Sequence, residues 1–199
     1  MTSEAKFITL WEIGTSREND MKVRRVITGH AEGKSVFVSD APAPRARDFA
    51  SIPGQASALV WSTPAVPAVP HDGSDAITAK STYLPGRGET RLLVVSFAPD
   101  SVMMSKDFDP AAAGQELMAE LPDLASTFEP DNPGMHTTET VDYGIMLDGE
   151  VWLELDDGKQ IHLKPHDIVI QNGTRHAWRN KSDKPATMAF VLIGANRRS

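Results

Sequence analysis

A chain of 199 residues, 40% of them apolar and 24% charged, has the balance of an ordinary globular protein, with enough apolar side chains for one sizeable core and a length that a single decorated domain accounts for. The formal net charge of −7 sets an average field that repels phosphate backbones and anionic lipid, which argues against nucleic acid and membrane surfaces as partners. Because cysteine is absent, neither a disulfide framework nor a thiolate metal site is available, and any metal must take His and carboxylate ligands.

Met1 to Leu10 carries Glu4 and Lys6 and lacks the apolar run of a signal peptide. No stretch approaches the roughly 18 apolar residues of a membrane span, so the cytoplasm is the expected location. From Lys22 to Asp40 two β segments, Val23 to Thr28 and Ser35 to Val38, flank a turn carrying Gly29 and Gly33, and a hairpin is expected. Prolines then recur at Pro42, Pro44, Pro53, Pro64, Pro67 and Pro70. Each removes a backbone donor, so this stretch reads as ordered wrapping loop with a short strand at Ala58 to Trp61. Residues 1–90 are thus a hairpin and a wrapping segment of the same domain as the rest.

Arg91 to Phe97, bounded by Pro85-Gly86 and Pro99-Asp100, has the punctuation of a buried strand. Asp109-Pro110 sets an N-cap with proline at the first helical position, and Ala111 to Leu121 carries helix formers until Pro122 stops them, about three turns in all. Beyond Val141 the chain is all short strands: Tyr143 to Leu147, Val151 to Leu155, Gln160 to Leu163, Ile168 to Gln171, His176 to Arg179 and Ala186 to Ile193. Asp148-Gly149, Asp156-Asp157-Gly158, Pro165-His166-Asp167 and Asn172-Gly173 supply turns between them, and such even spacing predicts a closed barrel or sandwich over residues 91–199. No internal repeat suggests a second barrel.

Alternation places His136, Thr138, Thr140 and Asp142 on one face if that stretch is extended, and His176 with Trp178 on one face of another strand. Two imidazoles and a carboxylate pointing into a barrel would form a facial ligand set for Fe, Mn, Ni or Zn. The run Gly173-Thr174-Arg175-His176-Ala177-Trp178-Arg179-Asn180 resembles the second cupin motif: a glycine, two residues, a histidine, three residues and an asparagine. Asp142 to Gly149, with Gly134 and His136, resembles the first, in which two histidines one residue apart precede a glutamate and a glycine-containing turn. The departures are Thr138 in place of the second histidine, Asp142 in place of glutamate with Glu139 off register, His166 in place of a turn glycine, and Gln171 in place of proline.

The resemblance, which spans about 91–193, implies an all-β cupin double-stranded β-helix, a jelly-roll barrel with an N-terminal β extension and one short inserted helix. It implies catalytic His136, His176 and Asp142 at the barrel mouth, the same three residues as ligands of a divalent metal; Thr138 and Trp178, which alternate with these histidines, and apolar Met146 are expected against the substrate. The insertion is either a lid with Leu117, Met118, Leu121 or Phe128 as an apolar ceiling, or a packing or dimer-interface helix. His30, His71 and His162 are expected to be structural or superficial, Trp11, Trp61 and Trp152 to be packing residues, and Tyr143 to face outward. The expected function is a small-molecule enzyme, a dehydratase or decarboxylase; the alternatives are a non-haem metal dioxygenase and a non-catalytic binder. Sheet edges left by the N-terminal β segment lead to the expectation of a homodimer.

Overall fold

A computed structural model describes residues 21–198; Trp11 and the reading of Met1 to Leu10 lie outside the described residues. Strand β1 (Arg24–Ala31) turns back into β2 (Lys34–Pro42) through Glu32 and Gly33, both with positive φ, the geometry that suits a two-residue hairpin loop. The turn is tighter than the sequence suggested, and Gly29 lies within the strand. This hairpin does not extend a barrel sheet: it forms its own two-stranded sheet. Arg25 ties it to the body, donating to the Val60 carbonyl at 3.2 Å and to Asp75 at 2.9 Å.

The β extension is supplied instead by β3 (Arg45–Asp48) and β4 (Ala56–Thr63). The second of these is longer than expected because Pro53 and Pro64 flank it without interrupting it. With β5 (Thr90–Phe97), β6 (Thr140–Asp148), β9 (Ile168–Asn172) and β11 (Ala186–Gly194) they make a six-stranded antiparallel sheet in the order β3-β4-β5-β11-β6-β9. A second sheet runs β10 (Ala177–Arg179), β7 (Val151–Glu154), β8 (Gln160–Leu163). Strict alternation sends Ala186, Met188, Phe190 and Leu192 of β11 inward, where they join Leu59, Leu93 and Met146 of the large sheet with Val151, Leu153 and Leu163 of the small one. Tyr143, out of phase with that pattern, is exposed.

The inserted helix α2, after a single turn α1 (Asp100–Met103), spans Pro110–Glu120, its N-cap Asp109 accepting from the Ala111 and Ala112 amides at 2.9 and 3.1 Å. Another single turn, α3 (Pro122–Ala125), follows. The insertion is a packing element. Leu121 is buried in the main core and Leu117 packs against it, while Met118 is exposed, so these three do not form a ceiling over the histidines. Glu116 accepts the Ala50 and Ser51 amides at 2.8 and 2.7 Å, and Asp123 accepts the Leu84 amide at 2.6 Å, which fastens the insertion to the wrapping segment. Among the described residues no helix is long and apolar enough to cross a membrane.

Candidate active site

Ahead of β6, His136 forms an isolated antiparallel bridge with His176, each donating its amide to the other's carbonyl at 2.9 Å. This backbone pairing brings the two rings together, with centroids 4.2 Å apart and planes inclined at 49°. His136 Nδ1 lies 3.0 Å from the Gly134 carbonyl and His176 Nδ1 lies 2.9 Å from the Thr174 carbonyl. A carbonyl only accepts, so each ring carries its proton on Nδ1 and keeps the Nε2 lone pair free.

Both histidines are buried, 8% and 3% exposed. Burial lowers the His136 pKa, while burial and then repulsion from His136 push His176 down to about 4. Both imidazoles are therefore neutral at pH 7. Phe128 covers the other side of His136, ring to ring at 4.7 Å, in a second isolated bridge. Trp178 meets the His176 ring edge at 5.6 Å and continues to Phe190 and Phe97. The result is a lane of aromatic surface running from Phe128 into the core, with Trp178 on the same face as His176, as alternation requires.

Gly173 makes the approach to His176 possible. It sits at φ +60°, and a Cβ there would lie 3.2 Å from the Thr138 carbonyl oxygen and 3.4 Å from that of Thr140. Outside the ring pair, Arg175 grips both oxygens of Glu129 at 2.6 and 2.7 Å, and Arg179 donates to the Pro133 carbonyl at 2.7 Å. The segment leading to His136 is thereby clamped to β10 and the residues before it. Sequence reasoning passed over these arginines, although Arg175 and Arg179 alternate with His176 and Trp178 and so had to face away from them.

Thr138, Thr140 and Asp142 point inward as expected, 5%, 3% and 7% exposed, with the two threonine hydroxyls 2.8 Å apart. Asp142 does not join the histidines. In register it opposes Gln171 on β9 and Leu192 on β11, whereas His136 opposes His176. Sharing a face along a strand fixes a direction and leaves the neighbour open. Among the described residues no three His, Cys, Asp or Glu side chains are grouped to hold a metal ion. The expected shell of His136, Asp142 and His176 for Fe, Mn, Ni or Zn is accordingly not assembled, and the donor set is two imidazoles. Burial pushes the Asp142 carboxyl up to about 6, against a smaller opposing effect of the Thr140 hydroxyl.

Met146, expected against the substrate, is 1% exposed within the apolar core. A groove of about 230 Å³ does open beside this end of the barrel, but Glu139, Asn172, Gly173 and Arg197 line it, and neither histidine does. Three further histidines stay outside the site: His30 is exposed, His71 accepts the Gly73 amide, and His162 stacks on Trp152 at 4.1 Å and pairs with Glu150.

An antiparallel barrel closed over a pair of buried imidazoles of fixed tautomer defines a histidine-bearing β-barrel of the jelly-roll class. Residues 126–193, about a third of the chain, match the family described as a cupin domain. Phomopsin biosynthesis cluster protein C′ of Diaporthe leptostromiformis is 48% identical over 62 residues, 31% of this chain and 33% of that protein. The match thus spans about a third of that relative's length. The cupin-domain-containing oxidoreductase fogC of Aspergillus ruber is 29% identical over 180 residues, 88% of this chain and 74% of that protein. The similarly named virC of Hypocrea virens is 28% identical over 176 residues, 85% and 74% of the two chains. Among solved structures, a cupin superfamily protein from Desulfitobacterium hafniense aligns with 53% of this chain and 67% of its own at 16% identity and a TM-score of 0.33.

Proposed function

We propose that this protein is an enzyme acting on a small, largely apolar organic molecule bearing a carbonyl, hydroxyl or carboxylate, and that His136 and His176 carry out the proton transfers of an oxidoreduction. One observation carries the reading: both Nδ1 atoms are committed to backbone carbonyls, so two adjacent Nε2 lone pairs remain in a buried, aromatic-lined interior. A neutral imidazole there can remove a proton from carbon next to a carbonyl. Burial makes each imidazole a weak base, but an enolate formed beside the new imidazolium restores its proton affinity through the ion pair. The enolate is electron-rich. Transfer of two electrons from it to dioxygen, which takes up the proton held by the imidazolium and a second proton released from the adjacent carbon as a C=C bond forms, leaves an α,β-unsaturated carbonyl product and hydrogen peroxide, and the oxidoreductase names of fogC and virC support this outcome.

The lyase reading shares the first step and differs in its ending: the same enolate expels a β-hydroxyl, protonated by the second histidine, and no oxidant is consumed. Incubation with hydroxy-acids, ketones and polycyclic aromatic ketones, with and without oxygen, separates the two. The expected result is product formation coupled to oxygen uptake in the wild type and a loss of at least about 100-fold in His176→Ala with its circular dichroism unchanged. Product formed equally without oxygen moves the assignment to the lyase. Equal activity in wild type and His176→Ala refutes the site, and tight ligand binding with no product makes the protein a binder.

A further inference from the structure

Asp142 Oδ1 and Gln171 Nε2 are buried without a hydrogen-bond partner, in side chains that are 7% and 4% exposed. They belong to residues directly opposite each other on β6 and β9, so an unsatisfied acceptor and an unsatisfied donor stand side by side in the same interior. Thr174 donates its hydroxyl to Gln171 Oε1, and Nε2 is the remaining buried donor of that amide. The same Thr174 gives its backbone carbonyl to His176 Nδ1, so one residue sets both the amide and the imidazole. A buried polar atom left unpaired costs free energy comparable to a lost hydrogen bond, so two of opposite kind at facing positions call for a group that meets both.

We propose that Gln171 and Asp142 form the polar subsite of the barrel interior, binding a planar ligand group that presents a carbonyl oxygen and an N–H or O–H on one edge, as a carboxamide or carboxylic acid does. Gln171 Nε2 donates to the carbonyl and Asp142 Oδ1 accepts from the donor beside it. The apolar remainder of the ligand lies along Trp178 and Phe128, toward the histidines. Gln171 stands where proline is usual in the resembled motif. This inference rests on the reading of the interior as a substrate site, and it adds the recognition element that the imidazole pair lacks.

The competing occupant is a single buried water bridging the two side chains. Benzamide, which carries the carbonyl and N–H on one edge, and N,N-dimethylbenzamide, which has lost the donor, separate these cases by calorimetry or saturation-transfer NMR on the intact protein. Wild type should bind benzamide at least about tenfold more tightly than the dimethyl compound, the loss expected when a buried acceptor goes unpaired. Gln171→Met, which keeps the length and removes the donor, should erase most of the benzamide affinity, and Gln171→Glu should bind it no better. Equal affinity for the two compounds in wild type overturns the proposal, and so does benzamide affinity unchanged by Gln171→Met; both results leave water as the occupant. If Gln171→Met fails to fold, the comparison of the two compounds on wild type still decides. His176→Ala should retain benzamide binding. Donor-selective binding in a wild type that turns over no substrate upholds the subsite and refutes the catalytic reading, whereas turnover without donor selectivity does the reverse.

Discussion

Replacing Asp142 with asparagine tests the energetics of the barrel interior directly. The carboxyl is 7% exposed and its pKa is raised from 3.8 to about 6, with burial the larger cause. A group whose pKa rises on folding contributes stability that is fully present below its unfolded value and is lost as pH climbs through its folded value. At about 1.36 kcal/mol per pH unit, the ionised carboxylate costs the folded state about 3 kcal/mol above pH 6. His176 works in the opposite sense. Its pKa falls from 6.5 to about 4, so its contribution is lost as pH drops through that window, and the two slopes oppose each other between pH 4 and 6. Asp142→Asn removes only the first. The variant should match the wild type near pH 4 and exceed it at pH 7.5 by as much as about 3 kcal/mol, roughly 6–12 °C in Tm for a domain of this size. Thermal and urea unfolding at the two pH values reads this out. A stability difference that does not change with pH would refute the assignment, as would a variant less stable than wild type at pH 7.5.

Two further outcomes follow from the site and the sheet. Metal analysis of protein purified without chelator should return well under one equivalent of Fe, Mn, Ni or Zn; a stoichiometric metal that disappears together with activity in His136→Ala would show that the imidazoles act as ligands. The edge strand β9 exposes Ile168 and Ile170 beside Tyr143 of β6, at 64%, 54% and 43%, and light scattering should find a homodimer of about 43 kDa, twice the 21.6 kDa chain. A mass near 22 kDa at micromolar concentration would refute it.

The strands from β5 onward were legible because short apolar runs are bounded by turn residues, although the alternate burial of β11 appears only in space, its sequence being apolar almost throughout. The α2 boundaries were legible from Asp109, Pro110 and Pro122, each of which acts locally. Partnerships were not. Nothing in the Val23 to Val38 pattern says that the hairpin pairs only with itself, and prolines near Ala58 read as breakers although they sit just outside β4. At the site the paired motifs implied that His136 and His176 come together, while the bridge between their backbones is visible only in the structure. Asp142 was given the right face and the wrong neighbour. Gln171 went unnoticed as a functional residue because its significance depends on standing across from Asp142, a register that neither strand reveals alone.

The place of β11 has a consequence for how the protein is made. This strand lies between β5 and β6 in the large sheet, hydrogen-bonded to both, and it follows all of the other described strands in the chain. During synthesis β5 and β6 emerge long before the strand that joins them, each with an unsatisfied edge and an apolar face. The large sheet cannot close until residues 186–194 have left the ribosome, so its closure rests on contacts between distant parts of the chain. A fragment limited to residues 126–193 would lack β3, β4 and β5 and would leave one side of β11 bare, so the most recognisable portion of the sequence is not a folding unit by itself.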